Sequence, residues 1–283
     1  MNCYQPIWLK EQRLFVPCGH CFSCRQVKSS EWSVRLLLEL TSWKKAGFIT
    51  LTYADDPKTL VPDDLTKFFK RLRKALSSVG RKIKYFCCGE YGGQFGRPHY
   101  HAIVFGISPS MADRLLISKV WKKGRTSVDY VNRKTINYVS GYVLKKYGGK
   151  INEIYYKKAG LVVPFQRCSR GLGLDYALSH AEELSRQLSV RLFTGREAPL
   201  PKYFVDKLGI DKERLKEKTK DSMQKYVSAI FKRAGLKSCT DVGHLGYMLF
   251  YSKNFCLSDK LSNAFDEINE QMSYNAFSLR EKH

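Results

Sequence analysis

The stretch Gly96-Arg97-Pro98-His99-Tyr100-His101-Ala102-Ile103-Val104-Phe105 decides how the rest of the chain is read. From Tyr100 onward it is rich in β-branched and aromatic residues and is closed by Gly106, the pattern of a buried strand. Side chains alternate faces along a strand, so His99 and His101 point the same way and Tyr100 points the other. Two imidazoles on one face can share a metal ion or a phosphate. They can also be polar residues on a wetted face, and the neighbouring sequence has to choose between these readings.

Immediately before it, Lys82 to Tyr91 (KIKYFCCGEY) reads as a second strand, followed by the turn Gly92-Gly93-Gln94-Phe95-Gly96. Two strands joined in this way form a hairpin with a longer loop. Glu90 then lies beside the two histidines, within reach of the same ion. Farther upstream, Ala46 to Tyr53 (AGFITLTY) reads as a buried strand, and Ala54 to Pro62 as a loop. A helix follows, capped by Asp63 or Asp64, with a core stripe of Leu65, Phe68, Phe69, Leu72 and Leu76. Its other side carries Lys67, Lys70, Arg71 and Lys74, a basic face that is either simply solvated or a nucleic-acid contact. Downstream of Gly106, a helix from about Pro109 to Lys123 leads into a short strand, Arg125 to Tyr130. The order β-α-β-β-α-β predicts an α+β fold of the ferredoxin-like type, an antiparallel sheet backed by helices.

Lys134 to Lys146 reads as the next helix. Tyr138 and Tyr142 are four residues apart and share a face. Lys145 falls roughly 20° from Tyr138 around the same helix. Two phenols and an ammonium in this arrangement are either core tyrosines with a snorkelling lysine or a reactive group.

At the other end of the chain, Cys18-Gly-His-Cys21-Phe-Ser-Cys24 packs three thiols into seven residues, with Cys3 as a fourth. Four thiolates make a closed tetrahedral zinc site able to staple a loop-rich segment that has little core. An iron–sulfur cluster and unliganded thiols are the alternatives, and His20 is a reserve ligand. Cys87, Cys88, Cys168, Cys239 and Cys256 lack ligand spacing and read as small apolar residues.

Composition narrows the class of partner. Among 283 residues, 49 are Lys or Arg and 26 Asp or Glu, a net charge of +23. So large a surplus calls for a polyanionic partner, most simply nucleic acid. No apolar run reaches the roughly 18 to 20 residues of a membrane span, and nothing at the start reads as a signal peptide, so a soluble protein retained where it is made is expected. Beyond Gly148, Asp175 to Leu192 reads as an amphipathic helix, Pro199 to Gly209 as an extended piece entering a helix, and Lys212 to Phe231 as a charged helix. Residues past about 210 carry no recognisable chemistry.

With these residues in view, the chain resembles the gokushovirus-type replication initiators of microviruses, members of the HUH endonuclease superfamily, named for His–hydrophobic–His. The likeness runs from Cys3 to about Phe204. Pro17-Cys18-Gly-His-Cys21-Phe-Ser-Cys24-Arg25, with Trp32 and Arg35, resembles the amino-terminal signature of that family. Phe48-Ile-Thr-Leu-Thr-Tyr53 is similar to its first motif, and Cys88-Gly-Glu90-Tyr91-Gly with Arg97-Pro-His99-Tyr-His101 to its metal motif. Tyr138-Val-Ser-Gly-Tyr142-Val-Leu-Lys145-Lys146 is similar to its twin-tyrosine motif. One departure is Arg170-Gly-Leu-Gly173, where the family has a Pro-Gly-Ile-Gly-like turn.

The resemblance implies rolling-circle replication of a small circular viral DNA in the bacterial host cytoplasm, with single-stranded origin DNA and the host replication helicase and polymerase as partners. It implies nicking by Tyr138 and Tyr142, Mg²⁺ or Mn²⁺ on His99, His101 and Glu90, and Lys145 near the phosphate. It also implies three parts: a Cys-rich zinc-binding segment over 1–30 (Cys3, Cys18, Cys21, Cys24), an HUH core over 31–150, and a mostly helical region over 151–283. Three rivals stay open. A transposase or relaxase of the same superfamily shares the histidines and tyrosines but lacks the cysteine signature. A non-catalytic zinc-dependent DNA-binding protein explains charge and cysteines alone, and a water-using metal nuclease forms no covalent adduct.

Overall fold

A computed structural model of the chain describes Cys3 and residues 7–11, 14–92, 96–146, 154, 156–192, 195, 197–215 and 217–218. The chain divides into two units, with the boundary between Ile210 and Asp211. Of the second unit, 212–215 and 217–218 are described, and they are helical. The remainder of the expected helix to Phe231 lies outside the described residues.

In the first unit, strands β1 (Ile7–Leu9) and β2 (Leu14–Val16) pair as a small hairpin ahead of helix α1 (Phe22–Thr41). Then come β3 (Ala46–Thr52), α2 (Pro62–Ser77), β4 (Lys84–Tyr91), β5 (Pro98–Phe105), α3 (Met111–Trp121), β6 (Thr126–Tyr130) and α4 (Arg133–Lys146). The quoted stretch is β5, at the centre of a five-stranded sheet ordered β6-β3-β5-β4-β7, where β7 is Phe165–Cys168. Every neighbouring pair in it is antiparallel. The α+β class and the β-α-β-β-α-β order are as the sequence predicts. The fifth strand comes from beyond residue 150, in the segment expected to be mostly helical.

The alternation of β5 separates two kinds of packing. Tyr100, Ala102 and Val104 join Ile49, Leu51, Cys87 and Val128 on one face, against Leu65, Phe68, Phe69 and Leu72 of α2 and Ile117, Val120 and Trp121 of α3. Burying each of these large apolar side chains contributes about 1.5–3 kcal/mol, which fixes the register of the whole sheet. The other face carries the histidines and is covered by α1 and α4, Trp32 of α1 lying 4.9 Å from the ring of Phe86.

Two local expectations change. Neither Asp63 nor Asp64 caps α2: Val61 is the N-cap, because Pro62, with its φ already helical, starts the first turn. Asp64 instead accepts from the Tyr53 hydroxyl at 3.0 Å. The single helix expected over Asp175–Leu192 is two short ones, α5 (Leu174–Ser179) and α6 (Ala181–Gln187), followed by strand β8 (Ser189–Arg191). His180 leaves helical geometry between them, its ring stacked on Tyr176 at 4.0 Å, and Leu188 ends α6 with a φ of 52°. β8 pairs with β9 (Glu197–Pro199), and α7 (Lys202–Leu208) follows, as the extended entry into a helix predicts. Among the described residues, no helix is long and apolar enough to cross a membrane.

Candidate metal centre and tyrosine helix

Antiparallel register assembles the centre. On the histidine face Thr50, His101 and Cys88 stand side by side across β3, β5 and β4, and in the next row Thr52, His99 and Glu90. The β4–β5 turn is closed by Gly92 N–H to the Arg97 carbonyl at 3.0 Å, and Gly96 there has a φ of 63°, which suits glycine.

The imidazoles are held from behind. His99 Nδ1 lies 3.1 Å from the Arg97 carbonyl, which can only accept, so Nδ1 carries the hydrogen and Nε2 is left as the outward nitrogen. That Nε2 lies 2.8 Å from Glu90 Oε1. A lone pair facing a carboxylate oxygen at this range repels it unless a positive charge joins them, a proton or a metal ion. His101 is oriented likewise, with Nδ1 3.0 Å from Thr50 Oγ1 and Nε2 3.5 Å from the same Glu90 oxygen. Ligand atoms of Glu90, His99 and His101 all fall within 4.8 Å of one another, so the donor set fits a single cation.

Helix α4 sets the two phenols over this group. Its apolar stripe, Ile136 and Val139, is fully buried. Between the tyrosines, Ser140 Oγ meets Ser33 Oγ of α1 at 2.6 Å, and Ser29 Oγ donates to the Ser140 carbonyl at 3.0 Å. Tyr142 is 5% exposed and its ring stacks parallel to His101, whereas Tyr138 is 52% exposed and meets His101 edge-on at 5.4 Å. Phe48 also stacks on His101, centroids 5.4 Å apart. Burial raises both phenol pKa values; for Tyr142, its bond with Tyr138 and the nearby Glu90 charge raise it further, while for Tyr138 the bond with Tyr142 offsets part of the rise. Both tyrosines are therefore protonated at neutral pH. Lys145 lies on the last turn of α4, and its side chain is outside what is described. Beside the triad a cavity of about 50 Å³ is lined by Glu90, Tyr91, Tyr142, Tyr156 and Gln166, among others.

The four cysteines also come together. Ligand sulfurs of Cys3, Cys18, Cys21 and Cys24 lie within 4.8 Å of one another, and Cys21 and Cys3 are 3.8 Å apart. The Cys18 thiol, despite burial, is brought down to about 7 by the backbone N–H groups of Cys21 and His20. Burial and its thiol neighbours push Cys24 up to about 12. His20 is exposed and stands outside the group. Cys24 belongs to the first turn of α1, so the Cys-rich segment runs directly into that helix. Cys87 and Cys88 are buried as expected, whereas Cys239 and Cys256 lie outside the described residues.

The basic side of α2 does not join the centre. Lys67, Lys70 and Lys74 are exposed on a helix that packs against the opposite face of the sheet; Lys67 pairs with Asp63 at 2.7 Å, and Arg71 Nε donates to the Val120 carbonyl at 3.0 Å. Sequence reasoning missed the partners that orient the site, Thr50, Phe48 and the Ser33–Ser140 pair. Only Thr50 left a trace, since Phe48, Thr50 and Thr52 alternate onto one strand face just as the histidines do.

Residues 46–147, from β3 through the tyrosine helix, match the family model of replication-associated protein ORF2. The chain is 34% identical to replication-associated protein ORF2 of Spiroplasma virus 4, over 67% of this chain and 66% of that protein. It belongs to the replication-associated protein family. It is also 30% identical to replication-associated protein ORF4 of Chlamydia phage 1 over 77% of this chain and 58% of that protein. Replication-associated protein VP4 of Bdellovibrio phage phiMH2K is 26% identical, over 67% of this chain and 66% of that protein. The chain thus spans somewhat under two thirds of the length of these relatives. No solved structure matches it. The family match covers both the Glu90–His99–His101 group and Tyr138 and Tyr142, which bears out the resemblance to phage replication initiators.

Proposed function

We propose that this protein initiates rolling-circle replication of a small circular viral DNA in the bacterial cytoplasm, by nicking single-stranded origin DNA through an HUH endonuclease core. The observation that carries this reading is the packing of two tyrosines, one helical turn apart, against a His101 that belongs to a three-residue metal-ligand group. A water-using nuclease needs the ligands but has no use for the paired phenols.

In the proposed reaction a tyrosine hydroxyl oxygen attacks a backbone phosphorus in line. A Tyr Oη–P bond forms and the P–O3′ bond breaks; the phenol proton is given up and the departing 3′ oxygen takes one up, so charge and atoms balance. The products are a 5′-phosphotyrosine and a 3′-hydroxyl, which primes the host polymerase, with the host helicase separating the strands. Mg²⁺ or Mn²⁺ on His99, His101 and Glu90 supplies neutralisation of the phosphoryl oxygens. Glu90 keeps both imidazoles aimed at one point, and Arg97 and Thr50 hold their tautomers. Lys145 is assigned to the phosphate charge. The second tyrosine accepts the new strand after one genome length and releases the first, and the phosphotyrosine bond conserves the energy needed for rejoining.

The proposed organisation is the one the sequence implies: a segment over 1–30 with structural zinc on Cys3, Cys18, Cys21 and Cys24, the catalytic core over 31–150, and a C-terminal region over 151–283. Incubation with the circular single strand and Mn²⁺, followed by a denaturing gel, tests the reaction. A protein band shifted by covalently attached DNA is expected; cleavage without a shifted band assigns the centre to hydrolysis instead.

A further inference from the structure

The two faces of the sheet are covered by chemically different layers. On the histidine side the exposed group is an aromatic one, Tyr138. On the other side, no aromatic side chain of α2 or α3 is exposed, and the outward residues are cationic. The layer has carboxylates at Asp63, Asp64 and Asp113, and each is already paired, with Lys67 at 2.7 Å, Lys123 at 3.2 Å and Arg81 at 2.7 Å. Lys70 and Lys74 of α2, Arg114 and Lys119 of α3, and Lys122 at its end are all exposed and have no carboxylate partner among the described residues.

We propose that this outer surface of α2 and α3 is a second nucleic-acid site, one that takes duplex DNA by its phosphates while a single strand occupies the tyrosine face. Single strands are gripped by stacking their bases on aromatic rings, which this surface lacks. A duplex hides its bases and presents two rows of phosphates, which unpaired lysines and arginines on two adjacent helices can neutralise. α2 has 16 residues. Such a helix extends about 24 Å, the length of about seven base pairs. The thickness of the sheet and a helix layer about 10–12 Å across separates this surface from the histidines, so one segment of DNA does not reach both. The site therefore holds the double-stranded region flanking the strand being cut, and keeps the protein on its template.

The inference rests on the reading that the protein works on DNA, and the test separates the two. In the full chain, Lys70→Ala, Lys74→Ala, Lys119→Ala and Lys122→Ala are combined. Binding to a 30-base-pair duplex is measured against salt, and covalent adduct on a ten-nucleotide single strand is measured in parallel. Loss of four phosphate contacts lowers the slope of log affinity against log salt by about 3 to 4. At least a tenfold loss of duplex affinity is expected, with adduct yield within twofold of the unaltered protein. Unchanged duplex affinity and slope would overturn the inference. So would equal losses in both assays, which would make the layer part of the cutting cleft or of the fold. Retained duplex binding with lost binding to polyglutamate would assign the surface to an acidic protein. If the unaltered protein binds duplex through this surface but forms no adduct, the nicking reading fails and the second site stands.

Discussion

The ring of Tyr142 lies parallel to the imidazole of His101, the planes 6° apart and the centroids separated by 5.5 Å. A tyrosine of α4 is thus part of the packing that holds a metal-ligand histidine, while its neighbour one turn away stays open to solvent. Burial makes the two phenols unequal, although the sequence presents them as a matched pair.

Tyr138 is the more accessible nucleophile and should make the first cut. Tyr138→Phe is expected to slow adduct formation on a short oligonucleotide by tenfold or more, and Tyr142→Phe to slow it less. Each single variant should still fail to close unit-length circles, and the double variant should form no adduct. Single-turnover assays on oligonucleotide and circular substrates distinguish these steps. A single variant that closes circles at the normal rate would make its tyrosine a packing residue.

Thr50 holds His101 Nδ1 at 3.0 Å, so it should matter to the ion without touching it. Thr50→Val preserves shape and deletes the hydroxyl. Partners of this kind typically contribute 10–100-fold in metal affinity. A Mn²⁺ titration of nicking should shift by about that factor, with the maximal rate largely restored at saturating ion. His101→Ala should not be rescued by excess Mn²⁺.

The cysteine group should carry about one zinc per chain, measured by elemental analysis of purified protein. Its removal should loosen the start of α1, and with it the Ser33–Ser140 contact at 2.6 Å that seats the tyrosine helix. Chelation is therefore expected to lower helical content and nicking together, whereas Ser33→Ala should lower stability by about 1 kcal/mol alone. Protein purified with neither zinc nor iron would remove the basis for the first part.

A pH dependence follows from Tyr142. Burial first, then the Tyr138 bond and the Glu90 charge, hold its pKa above the ordinary phenol value near 10. The folded chain then keeps a proton that the unfolded chain releases, so stability is fully present below about pH 10 and declines as pH rises further. The decline from one such group approaches about 1.4 kcal/mol per pH unit. Denaturant titrations from pH 9 to 11 should show a shallower decline for Tyr142→Phe than for the unaltered protein; equal slopes would mean that the phenol titrates normally when folded.

Much of this centre can be read directly from the sequence. Strand alternation places His99 and His101 together, hairpin proximity adds Glu90, and helical spacing stacks Tyr138 on Tyr142, because each relation is local and periodic. The register of β3 against β5 is not local, so Thr50 and Phe48 emerge only once the sheet is assembled. The same holds for the partition of charge: the 3.6-residue period shows that Lys70 and Lys74 point away from the core of α2, but not which face of the sheet α2 covers. Pro62 and His180 altered helix limits that charge and amphipathicity alone suggested.

In the proposed mechanism a tyrosine of α4 becomes joined to DNA. Trypsin digestion of the adduct, after nuclease trimming, should leave nucleotide mass on the peptide Thr135–Lys145, which holds both Tyr138 and Tyr142. The expected result is fragmentation that places the nucleotide on Tyr138 after a single round, and on either tyrosine after circle closure. An unmodified Thr135–Lys145 peptide from protein that has demonstrably cut its substrate would contradict it.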